Sequence, residues 1–148
     1  ITKYKNAFAA IPLLVSFIPM LMDTGGNCGS QSSTLIIRGI ALGEIRFSDL
    51  FRVMFKEFRV SLIVGVVLAL ANGLRILIMY RNAGLALVIG LSLVATVIIS
   101  KLIGCLLPLF AKKLHMDPAI MASPLITTLV DTCSILIYFN IATRIFQL

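Results

Sequence analysis

Charge is scarce in this chain. Of its 148 residues only 13% are charged, just six are acidic, and histidine occurs once. Soluble domains carry about 25% charged residues. A chain this poor in charge and 59% hydrophobic is therefore excluded from the ordinary soluble class. The same scarcity removes most catalytic chemistry, because no nucleophile and base pair and no metal-ligand cluster is visible, and enzymatic catalysis is not expected. Cys28, Cys105 and Cys133 lack paired CxxC spacing and fall in apolar segments, so they read as buried small hydrophobes rather than disulfides or metal ligands. His115 lies in a short basic loop with no second ligand nearby in sequence and reads as an ordinary loop residue. The net charge of +7 comes without a basic stripe and interleaved aromatics, which argues against nucleic acid.

What is present instead is long apolar sequence. Charged residues divide the chain into four such segments, interrupted internally only by Asp23, Arg75, Lys101 and Asp131. The expected fold is all-α, a polytopic membrane helix bundle forming one transmembrane domain over 1–148, with spans near 6–37, 53–80, 82–111 and 118–146. The first segment is too long for one straight crossing, and Gly25-Gly26-Asn27 within it suggests a tilted, kinked or broken helix. Ile1 is no initiator and no small-residue cleavage pattern follows, so the sequence is expected to begin within a longer protein. Arg38, Arg46, Arg52, Lys56, Arg59, Lys112 and Lys113 lie between spans on one side, and Lys3, Lys5, Arg75, Arg81 and Arg144 on the other. The richer side is expected to be cytoplasmic, with basic residues at helix ends meeting lipid headgroups.

Asp131 stands alone in an otherwise uncharged stretch from Pro118 to Thr143. Asp117-Pro118 has the form of a helix N-terminus, which would put Asp131 about 20 Å into the last helix. A charge at that depth costs at least about 2.5 kcal/mol on insertion scales, so by default it marks an ion or proton pathway. Ser123, Thr127, Ser134 and Tyr138 fall near the same helical face, and Pro124 could free a carbonyl near Ile120 to meet water or an ion. The alternative is that the stripe serves helix packing, with hydroxyls bonded to their own backbone. Lys101 could pair with Asp131 or snorkel toward the interface. Asp23 through Thr34 forms a second polar stretch, in which Asn27, Gln31 and Thr34 recur at helical spacing as pore-lining candidates. Glu44, Asp49 and Glu57 lie in the basic connection between spans, as solvated counter-charges or as an entrance for cations.

Three blocks of the sequence stand out together: Ile18-Pro19 through Ser32, Arg38-Gly39-Ile40-Ala41-Leu42-Gly43-Glu44-Ile45, and Asp117-Pro118-Ala119 through Asp131, joined by Lys56-Glu57 and Leu107-Pro108. In this order they resemble the membrane domain of the MgtE family of magnesium channels or transporters. The resemblance implies the last four of five spans, with a first span and cytosolic magnesium-sensing domains upstream. It implies a homodimer in the cell membrane, with a central pore between subunits. Asp131 matches the family's intramembrane aspartate, which recognises hydrated Mg²⁺, and Ser123 and Thr127 match other pore-site positions. The sequence departs at Cys133-Ser134, where the family often has Thr-Gly.

Mg²⁺ sheds its waters reluctantly, so a site with few carboxylates and many hydroxyls or carbonyls suits an ion bound through its waters. A twofold axis would set two Asp131 residues opposite one divalent ion. The expected function is uptake of hydrated Mg²⁺ through a dimeric pore. The alternatives are a proton- or sodium-coupled divalent cation exporter and a silent membrane anchor.

Overall fold

The computed structural model describes residues 12–121 and 123–147. Four long helices dominate it: α1 (Ile18–Ala41), α2 (Leu50–Tyr80), α3 (Ala83–Lys113) and α4 (Ser123–Phe146). Among the described residues there is no strand. Short 3₁₀ turns, Phe47–Asp49 and Pro118–Met121, lead toward α2 and α4. Lys3, Lys5 and the start of the expected first span lie outside the described residues.

The first segment is interrupted, but not where its glycines suggest. Residues 12–16 are helical, a turn follows at Phe17, and α1 then runs unbroken through Gly25, Gly26 and Asn27. Pro19 falls in the first turn of α1, where a missing N–H costs no helical bond. The last segment also differs from expectation. Asp117 does accept a hydrogen bond from the Ala119 N–H at 2.9 Å, yet it caps only the 3₁₀ turn. The α-helix proper starts at Ser123, with Pro124 in its first turn, so the ring removes no bond from an established helix.

α3 is the hub. It packs on each of the other three long helices, and α1 also packs on α4. Of the most apolar stretch of α3, 50% is buried within the molecule, against 11% for the corresponding stretch within Phe47–Tyr80. α2 therefore leans on α3 by one edge and turns Ile63, Val67, Leu70 and Ile78 outward, as lipid contact requires. A two-residue turn joins the pair. Arg81 adopts the left-handed conformation (φ 49°), and Asn82 Oδ1 accepts a hydrogen bond from the Leu85 N–H at 3.0 Å.

The bundle has an apolar core at each end and a waist of small and polar residues between. One core gathers Leu14, Phe17, Leu21, Ile76, Ile89 and Tyr138; the other holds Ile36, Cys105 and Leu109 beneath Ile45, Phe47 and Leu50. At the waist, Ser92, Thr96, Ser100, Gly104 and Pro108 recur every fourth residue of α3, all buried. A Cβ on Gly104 would overlap the Gly29 carbonyl oxygen in α1. One on Gly29 would stand 2.8 Å from the Ile126 methyl and 3.2 Å from the Ser100 carbonyl oxygen. Where lipid removes the hydrophobic drive between helices, close backbone approach through small residues supplies the attraction.

Three segments among the described residues are long and apolar enough to cross a membrane: Phe47–Tyr80, Ala83–Lys113 and Pro118–Phe146. α1 is not one of them, because the Asp23–Thr34 run dilutes its apolar character. It nevertheless has 24 residues, a length of about 36 Å, and it packs on both α3 and α4.

Gly104→Ala drives a Cβ into backbone that cannot yield, and should cost about 3 kcal/mol. Gly43→Ala places its Cβ in open space at φ +73° and should cost only about 1 kcal/mol of backbone strain. Thermal melting of both variants in detergent checks the order; equal melting temperatures would mean the α1–α3 contact is looser than described.

Candidate cation site

On α4, Ser123, Thr127 and Asp131 stand at four-residue intervals. Ser123 opens the helix, and its side chain lies outside the described part. Asp131 follows eight residues later, about 12 Å along the axis rather than the 20 Å counted from Pro118. Its side chain is half-buried, and it forms no ion pair within the described residues.

The hydroxyls around it donate to their own helix. Thr127 Oγ1 and Thr128 Oγ1 both donate to the Pro124 carbonyl, at 3.0 and 2.9 Å, and Thr132 Oγ1 donates to the Thr128 carbonyl at 3.0 Å. A carbonyl near Ile120 open to water or an ion was expected. Instead the Met121 carbonyl, at the break before α4, accepts from Ser33 Oγ of α1 at 3.0 Å.

α1 lies against this face through Gly26, where a Cβ would stand 3.1 Å from Thr127 Cγ2 and 4.0 Å from Asp131 Oδ1. Beginning at the next residue, α1 presents Asn27, Gln31 and Thr34, all exposed, along an open groove of about 600 Å³ that Ser30 and Leu35 complete. Asp23, one turn before Asn27, is exposed as well. The predicted polar faces of α1 and α4 thus adjoin at Gly26. Ser134 does not share the groove. It is buried, donates to the Val130 carbonyl at 2.7 Å, and would stand 3.0 Å from a Cβ on Gly25. Tyr138 is buried too and ties α4 to the segment before α1, its hydroxyl donating to the Leu14 carbonyl at 2.8 Å.

Lys101 neither pairs with Asp131 nor snorkels to an interface. Its ammonium lies 3.5 Å from Glu57 Oε2 of α2 and donates to Ser32 Oγ of α1 at 3.2 Å, while Ser32 Oγ donates to Glu57 Oε2 at 2.6 Å. Glu57 is only 6% exposed, so it is not the solvated loop charge it resembled in sequence. α2 begins at Leu50, which carries Glu57 two turns into the helix and onto the buried side. An interior lysine always needs a partner, but the partner lies 44 positions away on another helix, where spacing gives no guide.

Among the described residues no three of His, Cys, Asp or Glu gather closely enough to cage a metal ion. The α4 face of one chain offers a single carboxylate among hydroxyls, with the amides of α1 alongside, too few charged ligands to strip a divalent cation of its water. The divalent cation transporter family model, MgtE, matches residues 18–141. The chain belongs to the MgtE family. Proteins named magnesium transporter MgtE from Bacillus subtilis, Thermus thermophilus and Enterococcus faecalis are 39%, 36% and 34% identical to it, over 97% of this chain in each case. The chain spans about a third of the length of these curated relatives, covering 32% of each. Family membership and three span-length apolar helices make this MgtE-family chain an integral protein of the cell membrane.

Gly26 sets the spacing between α1 and the Thr127–Asp131 face, so Gly26→Val should splay the two helices there. On the transport reading proposed below, divalent cation flux through the complete protein is expected to fall about tenfold, the equivalent of 1.4 kcal/mol of misplacement. Gly26→Ala, whose one methyl meets only the end of Thr127, should fall much less; parallel flux assays on both variants check the gradation.

Proposed function

We propose that this chain is the ion-conducting membrane part of a Mg²⁺ uptake channel or transporter, not an enzyme. Two copies enclose a pore, and Asp131 of each faces the ion. The observation that carries this reading is the placement of Asp131: half-buried on α4, unpaired with any described basic residue, and abutting Gly26 where the polar face of α1 begins. Thr127 and Ser123 extend the ion-facing stripe along α4, and Asn27, Gln31 and Thr34 line the approach from α1. Ser134 acts behind this face as a packing residue, in keeping with its burial. The reading assigns all four long helices to membrane spans, with a further span and cytosolic Mg²⁺-sensing domains elsewhere in the protein.

Mg²⁺ holds six waters at 2.0–2.1 Å and gives them up slowly. A face of one carboxylate per chain among hydroxyl and amide oxygens binds such an ion through its waters, by charge at a distance and by hydrogen bonds. Two Asp131 carboxylates related by a twofold axis match the ion's double charge without locking it in place. The membrane potential then suffices to drive uptake, since a doubly charged ion gains about 4.6 kcal/mol per 100 mV on moving inward.

The test is voltage-driven Mg²⁺ flux in proteoliposomes containing the complete protein or its Asp131→Ala variant at matched incorporation. We expect flux to fall at least tenfold in the variant, with the dimer intact by crosslinking. Unchanged flux would remove Asp131 from the ion path. Flux that follows an imposed pH or sodium gradient, and stops when that gradient is clamped, would replace the channel with a coupled exporter.

A further inference from the structure

Lys101 is 6% exposed and Glu57 likewise, and with the fully buried Ser32 they draw three different helices to one point. The hydroxyl proton of Ser32 is directed at Glu57 Oε2, so the lone pairs of Ser32 Oγ are turned toward the Lys101 ammonium. Seen from the ammonium, the surroundings are those of a cation site: one carboxylate oxygen at 3.5 Å and one hydroxyl oxygen at 3.2 Å, supplied by α2 and α1. The next serine, Ser33, binds the Met121 carbonyl ahead of α4. One turn of α1 therefore connects to α2, to α3 and to the 3₁₀ turn ahead of α4.

We propose that Ser32 and Glu57 form a small-cation site, of the class that takes a primary ammonium, and that the Lys101 side chain is its permanent, tethered occupant. The charge holds α1, α2 and α3 together where another bundle would use a bound ion. It also neutralises Glu57, so that this carboxylate does not compete with Asp131 for a permeating cation. A packing role alone requires only the volume of the lysine stem. The cation-site role requires the charge.

The distinction can be read by chemical rescue in the full-length protein. Lys101→Ala removes the equivalent of n-propylammonium and leaves the site otherwise intact. We expect the variant to melt on the order of 10 °C below the wild type, as loss of one partner of a buried ion pair implies. n-Propylammonium chloride should recover a large part of that shift, while n-propanol and sodium chloride at equal concentration should recover little. Lys101→Met/Glu57→Gln, which keeps the volumes and removes both charges, should fold and show no response to n-propylammonium. Equal recovery by n-propanol would overturn the proposal in favour of simple space filling, and so would a folded Lys101→Ala variant indifferent to all three additives. If Lys101→Ala fails to fold, purification in n-propylammonium becomes the readout. Monodisperse protein obtained only with the amine supports the site, and failure with it, while the double variant folds, refutes it. Melting needs no transport, so failure of the transporter reading leaves this result standing.

Discussion

The contact on which the bundle depends is the approach of two backbones, Gly29 of α1 and Gly104 of α3, with no side chain between them. α1 is the least apolar of the long helices and the one with least to gain from lipid. Only by lying flush against α3 and α4 can it place its polar stretch within the bundle. That approach brings Gly26 onto Thr127 and Asp131, and one and a half turns later carries Ser32 into reach of Glu57 and Lys101. A side chain at either glycine would hold the helices apart and undo both arrangements together.

A waist built of hydroxyls has to find partners for them away from water. Some are local: Ser100 Oγ donates to the Thr96 carbonyl at 2.6 Å and Ser134 Oγ to the Val130 carbonyl at 2.7 Å, which lets serine sit in a membrane helix at little cost. The provision is incomplete. Ser92 Oγ and Thr96 Oγ1 are buried without a partner among the described residues, at a cost of roughly 1–3 kcal/mol for each group left unsatisfied. Small side chains are retained there because even a Cβ on Gly25 would stand only 2.8 Å from Thr96 Cγ2. Larger apolar residues would satisfy the solvation and destroy the packing.

Much of this was legible in the residues themselves. Apolar runs bounded by charge marked three span-length helices to within a few residues, since that boundary follows from the thickness of the hydrocarbon layer alone. Periodicity placed Asn27, Gln31 and Thr34 on one open face and Thr127 with Asp131 on another. Sequence misjudged whatever depended on contacts between helices. Gly25 and Gly26 looked like a break because glycine is flexible, yet here it is used for its size. Ser134 looked like part of the polar stripe, but it is buried, with Gly25 of α1 packed against it. Glu57 and Lys101 each looked attached to other partners, because nothing along the chain reveals which face of α2 will meet α3.

The direction of the hydroxyl hydrogens has a consequence of its own. Thr34, Thr128 and Thr132 are exposed, and each commits its proton to a carbonyl one turn earlier, that of Ser30, Pro124 or Thr128. A hydroxyl so engaged can offer its surroundings only lone pairs. These exposed threonines therefore present acceptors rather than donors, quite apart from any net charge. Water bound to a metal cation points its hydrogens away from the ion, whereas water around an anion points its oxygens away. With their protons claimed by the backbones of α1 and α4, these hydroxyls are matched to the outward hydrogens of a hydrated cation rather than to the outward oxygens around an anion.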